Sequence, residues 1–492
     1  MRRAAIPALA LLLGSAACHY TPARFRARSA VQNADDERPI PVPRRSPFVE
    51  AFYLSDVYLR RPVVDALDAE RFPYARDVNA LDEVPRSSWF SPVPLEPDAF
   101  LARYAADGPP RPPVRIEGSG RFRRLFDARG LGYRIIEDHP TLPAVDTAAS
   151  VIASRLVRAL GYRTPETWLV EPRSLGLRAN TDRWTLVRWP LGAALGPTDM
   201  TYRRDDDPND RVAHRDRRTL RALGVLGAWL DLRELGPSRL VDVYVGRPGR
   251  GHVEHLLVGL EDALGAAALA PSHAHAKTQG AVGGNTLENL LTLGLGEANP
   301  RAPSRERSLV AFPASLPARY ELGHPYEPVD RLLPSDGYWI AKRMCAIPSA
   351  LIERAVADAK LPAPIQSHVV HALEARRRTL AGYQLSLVTP LEVESVVGRR
   401  LVLSDGAIAC RLVNEAESRY EIAFLDDSGR TLAPSVHARP LLGELELVVP
   451  ELEAGYLVVR VRVERPGQAP ARWFEAHFTS RSGALTLVGV RH

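Results

Sequence analysis

The sequence predicts an α+β protein that ends in an all-β sandwich. Three observations carry this. Segments of helical and strand period alternate between about Phe122 and Leu391. From Leu391 the apolar period changes to two and short strands follow one another to the end of the chain. Gly, Asp and Pro turns punctuate that last stretch, as at Asp426–Arg430. Composition agrees: 45% hydrophobic and 25% charged residues are globular values, and 492 residues allow two or three domains.

Taken in order, Arg2 and Arg3 head an apolar run, Ala4–Leu13, followed by small residues and then Cys18. This is the layout of a secretory signal, too short to span a bilayer, which needs ~20 apolar residues. The cysteine directly after the small residues predicts a lipoprotein signal over 1–18, with Cys18 acylated. The ordinary alternative is a signal peptide with a chance cysteine. His19 in place of Asp leaves the outer membrane as the expected destination, with the lipid as the contact to the membrane. Residues 19–48, Pro/Arg-rich, read as an extended tether, and 49–115 as an N-terminal extension with short amphipathic pieces. A hairpin is expected around a turn at Asp127–Gly130. A helix follows, capped by Asp146 or Thr147, with Ala149, Ile152, Ala153, Leu156 and Leu160 on one face and Gly161 at its end. Strands are expected around Trp168 and Leu186, an apolar helix from Thr219 to about Leu232, and a hairpin through Leu240 and Leu257 joined by a Gly-rich turn. Two long helices, from Ser335 or Asp336 as cap and from Pro364, close the body at about 390. The sandwich takes 391–492 as seven strands, including one over Ala407–Val413.

Charge and cysteine exclude some classes. The net charge of +6 is spread along the chain, with no basic stripe interleaved with aromatics, so nucleic acid is not an expected partner. With Cys18 lipidated, Cys345 and Cys410 remain; two lone thiols are expected rather than a disulfide, and no Cys-x-x-Cys pair exists for a zinc ribbon. Lysine occurs only at Lys277, Lys342 and Lys360.

Four segments are distinctive: NALDEVPRSSWF (79–90), ALGYRTPETWLV (159–170), DDPNDRVAHRDRRTLRALGVLGAWL (206–230) and DGYWIAKRMCAIPSALI (336–352). In these the chain resembles a group of uncharacterised bacterial envelope proteins, which are in turn similar to the two-lobed protein-kinase-like fold, nearest the HipA-type kinases. The resemblance covers roughly 77–390 and implies a kinase-like body over 116–390. A kinase needs a strand lysine, a helix carboxylate, a loop Asp and Asn, and a second metal-binding Asp, because the transferred phosphoryl carries spread negative charge. The resemblance places Ile136, Ser150, Arg233, Arg239 and Gly259 at those five positions. All five functions are lost, and no lysine precedes Lys277 to restore the first. The expectation is therefore a non-catalytic envelope lipoprotein on a degenerate kinase-like scaffold. It would act by binding an envelope protein or an acidic ligand, with no cofactor and no metal. Arg233 and Arg239, if both face the old cleft, would form an anion site. The competing class is an atypical phosphotransferase using Glu261, Asp262, Asp242 or Asp231 as displaced metal ligands. A third is a scaffold with a filled cleft.

Other motifs weigh toward structure. His214-Arg215-Asp216 spells a kinase loop, but Arg221 stands where its Asn belongs and the segment precedes the apolar helix, so a solvated, charged helix start is expected. His252 and His255 point to opposite faces of a strand; His273 with His275 lacks a nearby carboxylate, and His368 with His371, which share a helix face, is an equally weak metal pair. Gly118 begins a weak phosphate-loop echo without a lysine. The Asp82–Phe90 segment reads as a clamp joining the N-terminal stretch to the core, or else as a ligand surface.

Overall fold

The structure is a computed structural model. It describes residues 20, 22–26, 29–46, 49, 53, 55–61, 73–119, 123–189, 192–232, 235–236, 239–269, 308–316, 326–452, 454–481 and 483–492. The signal segment with Cys18, Arg233, and the pair His273 and His275 lie outside these. The chain is α+β and divides into two compact units. One comprises residues 31–79 and 83–388; the other comprises 80–82, 389–492 and the described residues up to Ala30. No helix among the described residues is long and apolar enough to cross a membrane.

The larger unit opens with α1 (Pro97–Tyr104) and a five-stranded antiparallel sheet. Its strands are β1 (Arg115–Glu117), β2 (Arg124–Phe126), β3 (Gly132–Ile136), β4 (Thr167–Val170) and β5 (Trp184–Arg188), in the order β1-β2-β3-β5-β4. The β2–β3 hairpin turns where expected, because the Asp127 carboxylate accepts the backbone N–H groups of Arg129 and Leu131 at 2.9 and 3.0 Å. Between β3 and β4 runs α2 (Asp146–Ala159), buried along nearly its whole length. Neither Asp146 nor Thr147 is its cap. Val145 holds that place, and Asp138, from the preceding loop, accepts the Thr147 N–H (2.9 Å) and hydroxyl (2.7 Å). Gly161 ends the helix region at φ +98°, and the Phe90 ring fills the space a side chain would need.

A second sheet, β6 (Ala193–Pro197), β7 (Leu240–Val245) and β8 (His252–Leu257), is antiparallel in that order. The apolar helix is α3 (Arg218–Arg221) and α4 (Leu223–Leu230), with Ala222 between. The first of the two expected closing helices is broken. Pro348, which cannot donate a backbone hydrogen bond, separates α5 (Pro334–Ala346) from α6 (Ser349–Ala357). Leu333, not Ser335 or Asp336, is the cap position of α5. The last helix is α7 (Ala363–Ser386). Helices α2 and α4–α7 share one large apolar core with Trp89, Phe90, Trp229 and Trp339.

The expected tether is bound instead of free. Ala34 N–H donates to Arg86 O (2.7 Å), Ile40 N–H to Gly251 O (2.8 Å), and Ser46 N–H to Leu195 O (2.8 Å). Ile40 is buried against Leu195, Tyr244 and Val253. The prolines make this stretch extended, and its backbone groups find partners on the body.

The smaller unit holds eight strands in two antiparallel sheets: β9 (Leu391–Val397), β10 (Arg400–Asp405) and β13 (Glu444–Val448) in one, and β11 (Arg419–Leu425), β12 (Thr431–Ala438), β14 (Ala454–Glu464), β15 (Phe474–Arg481) and β16 (Ala484–Arg491) in the other. Both contribute to one apolar core, with Leu401, Leu403 and Leu447 from the first and Ile422, Val459, Val461 and Phe478 from the second. The strand expected over Ala407–Val413 is absent. Asp405 caps a short helix, α8 (Gly406–Ala409), accepting from Ala407 N–H (2.7 Å) and Ile408 N–H (3.1 Å). Strand β12 escaped the period-two pattern because it is an edge strand, half-exposed to exposed along its length. Cys345 and Cys410 form no disulfide.

Candidate functional site

Arg134 sits in the middle of β3, on the same face as Ile136. Its guanidinium crosses to the turn that follows β8 and grips Glu261 with both nitrogens, each at 2.8 Å. Burial by itself would raise the Glu261 carboxyl, but the charge and hydrogen bonds of Arg134, helped by Arg239, bring it down to about 2. One residue on, Asp262 is paired with Arg239, whose second nitrogen donates to the Gly259 carbonyl. Gly259 has φ +70°, which opens the 3-10 turn Leu260–Asp262, and the Arg239 side chain lies where a methyl group would be. A bidentate pair and a charge-assisted pair thus join the first sheet and the Arg239 strand end to one short turn.

Asp146, at the start of α2, faces the same charges. Burial, and then Asp138, Asp262 and Glu261, raise its carboxyl to about 7. One of its oxygens is buried without a hydrogen-bond partner. Arg183 completes the group, donating to the Thr147 hydroxyl at 2.9 Å and lying 3.6 Å from Asp138.

Of the five positions that the resemblance singled out, the four among the described residues distribute as follows. Ile136 is buried at the end of β3, and Ser150 is buried inside α2, its carbonyl accepting the Ser154 hydroxyl at 2.6 Å. Gly259 and Arg239 are in contact, but Arg239 is engaged by Asp262 and Gly259 and does not present an open fork to an anion. The strand cation that reaches across is Arg134, two residues before the expected place. Its signal was the shared strand face. Of the displaced carboxylates, Glu261 and Asp262 lie together. Asp242 is elsewhere, bonded to Thr198, to Arg204 at 3.0 Å and to His255 at 2.8 Å. Asp231 ends α4, 4.0 Å from Arg376.

The four distinctive segments meet inside the larger unit. Asp77, just ahead of the first, accepts the Arg218 and Thr219 N–H groups (2.6 and 3.3 Å) and so caps α3. Arg218 donates to Asp336 at 3.0 Å, with both side chains fully buried, and Arg221 joins Asp336 (3.6 Å) to Asp216 (3.0 Å). Tyr162 of the second segment donates to Thr219 O at 2.7 Å. The His-Arg-Asp triplet is therefore not a solvated helix start. His214 is fully buried, 2.7 Å from Asp210, which also accepts from Arg217 at 2.6 Å. Trp89 stacks on His255 with centroids 3.6 Å apart, meets His214 edge-on at 4.7 Å, and has the Arg217 guanidinium over its ring at 4.7 Å. Ser88 ties this loop to the N-terminal stretch, giving its hydroxyl to Asp36 at 2.8 Å. The clamp expected of Asp82–Phe90 is the arrangement found.

A surface pocket of about 360 Å³ is lined by Leu169, Glu171, Arg173, Asp182, Arg183 and Lys360. A cavity of about 10 Å³ beside Trp89 and His255 is at the size limit for one water. Neither is lined by Ile136, Ser150, Arg239 or Gly259. His368 binds the Phe312 carbonyl (2.8 Å), and His371 is exposed. Comparison with protein families, with curated proteins and with solved structures finds no match for the chain.

Proposed function

We propose that the chain is a non-catalytic cell-envelope lipoprotein that acts by binding, on a kinase-like body whose nucleotide cleft is closed by its own charges. The observation that carries the reading is the Arg134–Glu261 fork beside the Arg239–Asp262 pair. In a kinase, the third strand, the helix after it and the segment after the later hairpin supply the cation for the phosphates and the carboxylate for the metal. Here β3, α2 and the turn after β8 come in that order, and the cation and carboxylates neutralise one another. A nucleotide would have to break both pairs before it found a partner, and magnesium would have to displace guanidinium groups from the two carboxylates that lie together. The same pairing weighs against the phosphotransferase reading, since Asp242 and Asp231 are spent elsewhere.

The lipid part rests on the order of residues 1–18. Tyr20 is bonded to Glu475, with Arg460 stacked over its ring at 3.8 Å, and Phe25 N–H donates to Tyr456 at 2.9 Å. Two residues of chain reach at most ~7 Å. A lipid on Cys18 would therefore hold the β-rich unit at the membrane with no long spacer.

Calorimetry with ATP, with and without magnesium, on the protein lacking residues 1–18 tests the closed cleft. No heat is expected in either case, and magnesium-dependent binding would overturn the reading. Mass spectrometry of the mature N-terminus tests the anchor: a lipid-acylated Cys18 is expected, and an unmodified one rejects it.

A further inference from the structure

The N-terminal stretch and β8 bring together three groups that no sequence spacing connects. His252 and Glu254 lie two residues apart on one face of β8. Glu37 is delivered to them by the bound segment, which is fixed on one side by Asp36 at Ser88 and on the other by Ile40 at Gly251. One ligand atom from each of Glu37, His252 and Glu254 lies within 4.8 Å of the other two, and all three side chains are half-buried. The His252 Nε2 atom is itself buried and has no hydrogen-bond partner; the nearest carboxylate oxygen of Glu254 is 3.6 Å away, beyond hydrogen-bond reach.

Arg163 organises the two carboxylates. Its Nη1 donates to Glu254 Oε1 at 2.6 Å and its Nη2 to Glu37 Oε1 at 2.5 Å, while Nε and Nη2 donate to the Ser87 carbonyl at 3.1 and 2.9 Å. The guanidinium is thus held by backbone as well as by acid. It bonds Oε1 of each carboxylate, and Glu254 Oε1 is also the oxygen 3.6 Å from His252 Nε2; a carboxylate oxygen has a second lone pair for a further partner. With the imidazole neutral, as metal ligation requires, two carboxylates and one guanidinium leave one net negative charge at the ring nitrogen.

We propose that Glu37, His252 and Glu254 form a binding site for a first-row divalent cation of the zinc type. An imidazole nitrogen with two carboxylate oxygens suits zinc and its neighbours better than magnesium or calcium, which prefer oxygen alone. Three protein ligands leave a fourth position for water or an exogenous donor. Arg163 is the positioning residue that holds both carboxylates on the metal side. Bound metal would clip the N-terminal stretch to β8, and this follows whether or not the cleft binds nucleotide.

The test uses untagged protein lacking residues 1–18, titrated with cobalt(II) and followed by visible absorption, then with zinc in competition. One saturable site is expected. It should weaken at least tenfold in both His252→Ala and Glu37→Gln, and remain in the His273→Ala, His275→Ala double variant. Circular dichroism checks that each variant is folded, and Glu37→Gln stands in if His252→Ala is not. The proposal is overturned by no saturable binding, by undiminished binding in the folded site variants, or by loss of binding in the double variant.

Discussion

Replacing Asp336 with alanine should destabilise the larger unit sharply. Asp336 faces two arginines, Arg218 Nε at 3.0 Å and Arg221 Nη1 at 3.6 Å, and all three side chains are fully buried. Its Oδ2 atom, the one that faces Arg221, also accepts the Leu333 N–H at 3.0 Å, at the start of α5. Burial raises its carboxyl above the usual range, and the two arginines oppose that rise without cancelling it. Removing one partner of a buried pair leaves an uncompensated charge and costs roughly 3–5 kcal/mol. Loss of the terminal hydrogen bond adds about 1 kcal/mol. For a unit of roughly 350 residues, with about 2.1 cal/mol/K of unfolding entropy per residue, that is a fall in Tm of about 5–8 °C. Asp336→Asn keeps the acceptor oxygen but loses the charge, and should fall between. The apolar exchange Arg218→Met with Asp336→Leu should recover much of the loss, because burying both charges carries its own desolvation cost. Scanning calorimetry, with urea unfolding as a second measure, reads all three. An Asp336→Ala transition within 1 °C of the parent would refute the argument that this network holds the distinctive segments together.

Asp146→Asn should stabilise the protein above neutral pH. The folded carboxyl keeps its proton up to about 7 while the ordinary value is 3.8, so the folded state binds more protons between the two and stability falls as pH rises through that window. The variant should gain roughly 1–3 kcal/mol over the parent at pH 8 and little at pH 4, by urea unfolding; an equal effect at both would refute the origin assigned to the shift. Arg134→Ala should cost about 1–3 kcal/mol at neutral pH, discounted because both partners are partly exposed. Glu261 contributes stability above its ordinary range that is lost as pH falls toward about 2, so the deficit of the variant should shrink in acid, and a constant deficit would be inconsistent with the pair. Trp89→Ala removes a ring that is 3% exposed and stacked on His255, and should cost about 3–5 kcal/mol by the same assay, with Trp89→Phe intermediate. A loss under 1 kcal/mol would mean the clamp carries little of the fold.

Periodicity and turn chemistry were enough to read the α+β class, the Asp127–Gly130 hairpin, the β7–β8 hairpin, α2 with its glycine end and six strands of the last hundred residues. These are local properties: a face, a cap or a turn leaves its mark within a few positions. Two errors were local, the helix capped by Asp405 and the break at Pro348; the others fell where a distant partner decided the outcome. The Pro-rich stretch was legible as extended, but only the body supplies Gly251, Leu195 and Arg86 to bind it. The charges of His214–Asp216 read as a solvated helix start, yet His214 and Asp216 are buried because Asp210 and Arg221 meet them there. Around β3 and the turn after β8, the resemblance singled out Ile136, Ser150, Arg239 and Gly259, none of them an acid or a lysine. That Arg134 grips Glu261 could not be read there, since 127 positions separate them. Glu37 reaches His252 only because the chain folds back on itself. The sequence by itself determined most of the helices and strands, since those depend on neighbours within a turn or a pleat. Tertiary structure decided which charges are paired, because Coulombic partners are set by distance in space and not along the chain.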